Sequence, residues 1–106
     1  MKNINEELNN VQKLFSEGRY QLALRKINTL IKNNRHNYIV YNYRGIILVA
    51  LKKSSEAINN FQKTLELNPD FTEAIGNIGM AYHEMNYVKE AIENYKKAYE
   101  IGRAHV

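Results

Sequence analysis

The chain has no cysteine and no tryptophan, and its 106 residues include only one proline and five glycines. Without cysteine, disulfides and thiolate chemistry are excluded, while the redox compartment stays open. No run of residues is long and apolar enough to cross a bilayer. The first residues are polar and acidic and lack the apolar core of a signal peptide. We therefore expect no membrane insertion and a cytoplasmic location.

Side chains that carry catalysis are also scarce. The chain has three histidines and a single aspartate, Asp70. His83 and Glu84 are adjacent, so on a helix they point to different faces, and no H-E-x-x-H spacing exists. There is no glycine-rich phosphate loop either. A catalytic site needs a positioned base, nucleophile or metal cluster. The sequence therefore predicts neither an enzyme nor a bound cofactor or metal.

Positive charge is concentrated in the first half of the chain. Residues 1–55 hold ten Lys and Arg against three Glu, whereas residues 56–106 hold five basic and eight acidic side chains. This asymmetry either steers an acidic partner toward the first half or belongs to a solvated outer face. The basic residues are scattered and do not line one groove together with aromatic side chains, so nucleic-acid binding is not expected.

A repeat of 34 residues is the strongest pattern in the sequence. Gly45 has its counterpart at Gly79, and two further columns have the same spacing: Ala23, Ala57 and Ala91, and Ile27, Phe61 and Tyr95. A fixed period in this range is typical of stacked identical supersecondary units. Small residues where two helices must approach, followed by bulky residues one turn later, predict a helix-turn-helix hairpin in each unit.

Apolar residues recur with helical spacing almost throughout the chain. This periodicity predicts six helices, at about 4–17, 20–33, 38–51, 54–67, 72–85 and 88–101. Pro69 cannot continue the fourth helix and marks its end. Asp70 and Glu73 have the spacing of a capping box, which predicts Asp70 as the N-cap of the fifth helix.

These columns and their spacing resemble the tetratricopeptide repeat family. The resemblance implies an all-α fold, a right-handed α-solenoid of three antiparallel helix-turn-helix repeats with six helices and no separate C-terminal capping helix. The single domain would span 1–106, with repeats at about 4–37, 38–71 and 72–105. The first repeat departs most from the family pattern, because Val11 stands in the glycine column, Leu14 in the tyrosine column and Arg35 at the proline position.

The resemblance also implies a function. In this family the first helix of each repeat lines a concave groove, so we expect a non-catalytic scaffold that binds a peptide or protein segment there. The helix at 38–51 is apolar on nearly every side, which predicts that a partner covers its inner flank. The alternative is that Tyr43 and Ile46 only tighten the curvature of the array. The residues expected in the groove are Asn9, Gln12, Phe15, Ile39, Asn42, Tyr43, Ile46, Val49, Asn77, Met80 and His83.

Some members of the family clamp the C-terminal carboxylates of heat-shock chaperones with two asparagines and three basic residues at set groove positions. The matching positions in this chain are Leu8, Gln12, Tyr43, Glu73 and Asn77. None of these side chains is basic and one is acidic. We therefore expect no binding of a chaperone's acidic tail.

The sixth helix presents a second apolar surface. Its residues are Val88, Ile92, Tyr95 and Tyr99, and only the residues from Gly102 to Val106 follow, too few for a covering helix. If ~300 Å² of apolar surface stayed open, roughly 7 kcal/mol of burial would be forgone. This predicts either further repeats or a homo-oligomer. Self-association through this surface, or by exchange of hairpins, is the alternative function.

Overall fold

The computed structural model describes residues 3–104, which form six helices and no strand. The helices are α1 (Ile4–Ser16), α2 (Tyr20–Lys32), α3 (Tyr38–Ala50), α4 (Ser54–Leu67), α5 (Thr72–Glu84) and α6 (Val88–Ala104). Every helix starts where the periodicity predicts, and α6 continues three residues beyond its predicted end. Residues 1, 2, 105 and 106, at the ends of the predicted domain, lie outside the described residues.

The helices are arranged as a stack of hairpins. α1 packs on α2, α3 on α4 and α5 on α6, while α2 contacts α3 and α4 contacts α5 between hairpins. α3 also contacts α5 directly, so the first helices of successive hairpins lie side by side. The result is the all-helical solenoid that the 34-residue period predicts.

The same turn closes all three hairpins. The residue after the C-cap of each first helix has a left-handed backbone, with φ of 75° at Gly18, 65° at Lys52 and 63° at Asn86. The next N–H donates to the carbonyl five residues back, in the pairs Arg19–Leu14, Lys53–Leu48 and Tyr87–Tyr82, at 2.9, 2.8 and 2.9 Å. This is the Schellman pattern. The first hairpin therefore has the geometry of the other two, although its sequence departs most.

Close packing within each hairpin explains the glycine column. A Cβ atom on Gly45 would lie 2.4 Å from the Phe61 ring, and one on Gly79 would lie 2.8 Å from the Tyr95 ring. The first hairpin accommodates Val11 at this position because the facing residue is the smaller Ile27, and both side chains are almost fully buried. A larger residue on one helix is thus matched by a smaller one on the other.

The core consists of two clusters of buried residues and, within residues 3–104, neither includes a residue of α6. One joins α1, α2 and one side of α3, through Val40 and Ile47, and the other joins Leu48 and Val49 of α3 with α4 and α5. Among the described residues of α6, Ala91 alone is fully buried. The last hairpin is therefore covered on one side only.

One predicted cap is wrong. The N-cap of α5 is Phe71, without a side-chain hydrogen bond, and Asp70 does not cap it. Asn68 instead accepts a hydrogen bond from the Asp70 N–H at 3.2 Å, which closes the turn over Pro69. α5 begins at Thr72, where the periodicity predicts, so its N-cap position is residue 71 and Asp70 lies one residue too early to act as the cap.

Candidate functional site

We call the surface shared by α1, α3 and α5 the groove. Its main feature is a depression of about 200 Å³ between α1 and α3, lined by Val11, Gln12, Phe15, Tyr43, Ile46 and Ile47. Four of these residues, Gln12, Phe15, Tyr43 and Ile46, belong to the predicted groove set. The Gln12 amide and the Tyr43 hydroxyl are the polar side-chain groups in this lining, so the depression is largely apolar.

Helical spacing brings these side chains together. Val11 and Phe15 are four residues apart on α1, and Tyr43 lies three and four residues before Ile46 and Ile47 on α3, so each set shares a face. Val11 and Ile47 are each 1% exposed and form the floor. The depression is therefore a preformed feature of the α1–α3 interface, whose floor belongs to the core.

The walls are braced by neighbouring side chains. Phe15 packs its ring against Tyr20 with centroids 5.1 Å apart and the planes tilted by 52°. Tyr43 and Ile39 pack against the α1–α3 core cluster, while Ile46 packs against the α3–α5 cluster. Half-buried side chains held in this way keep their positions before a ligand arrives, which lowers the entropic cost of binding.

Asn42 does not face the groove as predicted. It is only 2% exposed, and its Oδ1 accepts a hydrogen bond from Asn77 Nδ2 at 2.9 Å. The bond joins α3 to α5 across two hairpins. Asn42 precedes Tyr43 by one residue, which corresponds to about 100° around the helix, and this rotation places it between the helices. Asn42 is therefore a structural residue.

Val49 is the second residue that the sequence misplaced. It is 7% exposed and belongs to the core cluster of α3, α4 and α5. The predicted apolar strip along α3 therefore ends at Ile46. The covering of Val49 by neighbouring helices removes the last turn of α3 from the surface that a ligand can reach.

The other predicted groove residues do not line the depression. Asn9 and His83 are exposed, and Ile39, Asn77 and Met80 are half-buried. Sequence reasoning missed Val11 and Ile47, which form the floor. A signal was present at Val11, because a β-branched residue there replaces the glycine of the other hairpins.

The predicted self-association surface is exposed, and we call it the α6 face. Val88 is 56% exposed, Ile92 47%, Tyr95 41% and Tyr99 68%. A second, open depression of about 420 Å³ lies beside it, lined by Ala98, Tyr99, Gly102 and Arg103.

Metal and membrane sites are not found in the described part of the chain. Residues 3–104 contain no group of three or more His, Asp or Glu side chains that could hold a metal ion. None of the six helices has both the length and the apolar character needed to span a bilayer. A third, shallow depression of about 530 Å³ follows the loop between α2 and α3 and is lined by residues 33–38.

Comparison with known proteins identifies the repeats. Models of the tetratricopeptide repeat match residues 38–71 and 72–105, in phase with α3–α4 and α5–α6. Among solved structures, MamA MSR-1 aligns with a TM-score of 0.85 and 26% identity over 98% of this chain and 60% of that chain. The second tetratricopeptide domain of Spaghetti (RPAP3), bound to the HSP90 peptide SRMEEVD, aligns with a TM-score of 0.81 and 19% identity over 91% of this chain and 89% of that chain.

Curated relatives include heat shock protein STI1 of Saccharomyces cerevisiae, 32% identical over 65% of this chain and 12% of its own length. DnaJ homolog subfamily C member 3 of Bos taurus is 30% identical over 81% of this chain and 17% of its own length. Hsp70-Hsp90 organizing protein of Triticum aestivum is 28% identical over 78% of this chain and 14% of its own length. The chain thus spans less than a fifth of the length of these relatives.

The comparisons do not bear out the prediction that chaperone-tail binding is absent. The similar proteins include an Hsp70-Hsp90 organizing protein and a domain bound to an HSP90 peptide. The prediction considered only the charged clamp positions, and an apolar groove offers a second way to hold a peptide. The matched repeats cover more than half of the sequence and coincide with its helical hairpins. The chain belongs to the tetratricopeptide repeat family.

Proposed function

We propose that this chain is a non-catalytic scaffold that binds a peptide or protein segment in the groove. Tetratricopeptide repeat proteins are protein-interaction scaffolds. The observation that carries the proposal for this surface is the apolar depression between α1 and α3, with Phe15, Tyr43 and Ile46 half-buried in its lining. Accessible apolar side chains on a preformed concave surface favour a ligand that buries them.

The size of the depression indicates what it accepts. Its volume of about 200 Å³ is below the range of roughly 300–1,000 Å³ typical of small-molecule sites. One large apolar side chain of a peptide suits this space better than a whole cofactor. We therefore propose that a single Leu, Met or aromatic side chain of the partner anchors here.

Polar groups beside the depression would hold the peptide backbone. The Gln12 amide lies in the lining, and the half-buried Asn77 uses one of its N–H groups on Asn42. The remaining amide groups of these two side chains can pair with the main chain of an extended peptide, which is how such segments are commonly recognised. The anchor would supply affinity and the amides would set the direction of the peptide.

The peptide in the Spaghetti structures is a suitable first probe. SRMEEVD is bound to both the first and the second tetratricopeptide domain of that protein, and it contains one Met and one Val. In this chain the anchor would be an apolar side chain, because Leu8, Tyr43 and Glu73 stand where a charged clamp needs basic or asparagine side chains.

Fluorescence anisotropy with labelled peptides tests the proposal. The panel contains SRMEEVD, its Met→Ala and Val→Ala forms, and extended peptides carrying a single Leu or Phe. Ile46→Asp should weaken the best binder by more than about tenfold, since it places a charge in an apolar site. Leu22→Asp, which makes the same kind of change on the exposed side of α2, is the matched control.

Two results would contradict the groove proposal. One is equal binding by the Ile46→Asp and Leu22→Asp variants, with both retaining wild-type circular dichroism. The other is binding that does not change when the apolar anchor of the peptide is replaced by Ala. A cytoplasmic location, the lack of catalysis and the lack of nucleic-acid binding stay predictions. Titration with RNA at low salt tests the last of these.

A further inference from the structure

The α6 face is the exposed counterpart of a surface that is buried inside the stack. Ile58 of α4 is 7% exposed and Phe61 is fully buried, whereas their counterparts one period later, Ile92 and Tyr95, are 47% and 41% exposed. α5 covers α4, and no element in the described residues covers α6 in the same way. The face therefore has the apolar character of an interhelical contact.

A row of positive charge borders this apolar face on α6. Lys89, Lys96 and Arg103 are seven residues apart, so they lie along one line beside Ile92 and Tyr99. All three are exposed, and within residues 3–104 none of them forms an ion pair. The equivalent positions one period earlier are uncharged: Ser55 and Gln62 on α4, and Pro69 just after it.

The interfaces between hairpins show what the equivalent positions of earlier hairpins contact. At the α4–α5 interface, Ser55, the counterpart of Lys89, donates its hydroxyl to Met85 Sδ of the covering helix at 3.3 Å. At the α2–α3 interface, Asn28 occupies the position of Lys96 and accepts a hydrogen bond from Arg44 Nε of the covering helix at 2.7 Å. Row positions thus pair with polar groups of the covering element.

A second copy of this chain does not supply the right surface. Stacked head to tail, a second copy would place its α1 over α6, as α5 is placed over α4. The contact positions of α5 and its C-cap are Ala74, Ile78, Ala81 and Met85. The corresponding residues of α1 and its C-cap are polar: Glu6, Asn10, Lys13 and Glu17. Burying these polar groups against Ile92 is costly. If two copies packed their α6 helices against each other in antiparallel orientation, their cationic rows would lie side by side. The like charges would repel each other and disfavour this dimer.

We propose that the α6 face binds an amphipathic helix of another protein, with an apolar face bordered by a row of Glu or Asp. The apolar face covers Val88, Ile92 and Tyr99, and the acidic row pairs with the cationic row. The hollow at Gly102, bounded by Tyr99 and Arg103, takes an apolar side chain of that helix. This is helix recognition by a surface distinct from the groove.

A designed peptide tests the proposal on the full 106-residue chain. The probe is a helical peptide of about 20 residues, long enough to follow α6, with Leu and Ala on one face and Glu along one flank. A sister peptide carries Lys in place of these Glu residues. We expect the acidic peptide to bind more tightly than the basic one, with a difference that shrinks as salt is added.

Two charge reversals on α6 give the decisive comparison. Lys96→Glu should weaken the acidic peptide about fivefold to tenfold and strengthen the basic one. Lys97→Glu is the matched control, because it makes the same change next to the same two residues, Glu93 and Glu100, but lies outside the cationic row. Equal effects of the two variants would overturn the proposal.

Three further measurements complete the test. Tyr99→Glu should abolish binding of both peptides, and retained binding would overturn the proposal. Ile46→Asp in the groove should leave this binding unchanged; its loss would assign the peptide to the groove. Sedimentation of the chain alone should show a monomer. A dimer that Tyr99→Glu dissociates would mean that a second copy occupies the face instead.

Discussion

The middle hairpin, α3–α4, and the last hairpin, α5–α6, share a turn geometry and the same glycine and alanine columns, yet they differ in burial. Phe61 in the middle hairpin is fully buried, whereas its counterpart Tyr95 is 41% exposed. Within residues 3–104, the middle hairpin has a neighbouring hairpin on each side, and the last has one. In a repeat array, position in the stack determines how much stability a given column contributes, because each unit contacts only its neighbours.

Truncation of the large residue in each hairpin should show the biggest contrast. We expect Phe61→Ala to lower the free energy of unfolding by about 3–5 kcal/mol, since a filled core position becomes a cavity. Tyr95→Ala should cost about 1 kcal/mol, because water already reaches the ring. Urea unfolding measures both values. Phe61→Leu serves if the alanine variant does not fold, and equal costs for Phe61→Ala and Tyr95→Ala would remove the contrast between the hairpins.

The glycine column should show the next largest difference. We expect Gly45→Ala to destabilise by about 1–3 kcal/mol, because its Cβ would lie 2.4 Å from the buried Phe61 ring. Gly79→Ala should cost less than Gly45→Ala, since the Tyr95 ring can move toward solvent and alanine favours the helix. It should still destabilise, because the new Cβ would lie 3.2 Å from the Ala91 carbonyl oxygen. Adding Phe61→Leu should recover part of the Gly45→Ala loss in a double-mutant cycle. Strict additivity in that cycle would show that the ring is not the obstacle.

The bond between Asn42 and Asn77 tests how firmly the last hairpin is joined to the middle one. We expect Asn42→Ala to cost about 1–2 kcal/mol, because it leaves a half-buried amide without its partner. Adding Asn77→Ala to the Asn42→Ala variant should lower the free energy of unfolding only a little further. Hydrogen exchange should show faster opening of α5 and α6 than of α3. Uniform acceleration along the chain would argue against a local role.

The turns should give the smallest effect, and it should be stabilising. We expect Lys52→Gly to raise stability by about 0.5–1 kcal/mol, since Lys52 has a left-handed φ of 65° that a side chain disfavours. The exposed ion pair with Glu84 that it loses is worth less than about 1 kcal/mol. Asn86→Gly should gain less, because asparagine tolerates this conformation. Thermal unfolding of both variants measures the two gains in stability. A larger gain for Asn86→Gly than for Lys52→Gly would contradict this prediction.

The period predicted the helices well because it depends on local spacing. The starts of all six helices follow from where apolar columns begin, and the turn residues Gly18, Lys52 and Asn86 recur at the same spacing. The groove was predicted less well. Asn42 and Val49 lie at the edges of the stripe that faces a ligand, and the packing of α3 against α5 decides which side covers them.

One local turn and one contact within a hairpin explain the remaining differences. The Asp70 cap failed because Asp70 lies in the turn over Pro69, where its N–H donates to Asn68, one residue before the N-cap position. The floor of the depression was missed because Val11 was read as a departure from a pattern. It becomes meaningful only together with Ile27, which lies opposite it in the same hairpin.

The matching of Val11 with Ile27, and of Gly45 with Phe61, bears on how such chains can be recombined. A hybrid of α1 with a second helix of the α4 type would force valine against a phenylalanine ring, since even a single Cβ at the glycine position is too close. The reverse hybrid would leave an empty space between glycine and isoleucine. A crossover within a hairpin therefore breaks a matched pair, whereas a crossover in the loop between hairpins keeps both partners. The whole hairpin is the smallest piece of this chain that can be exchanged intact.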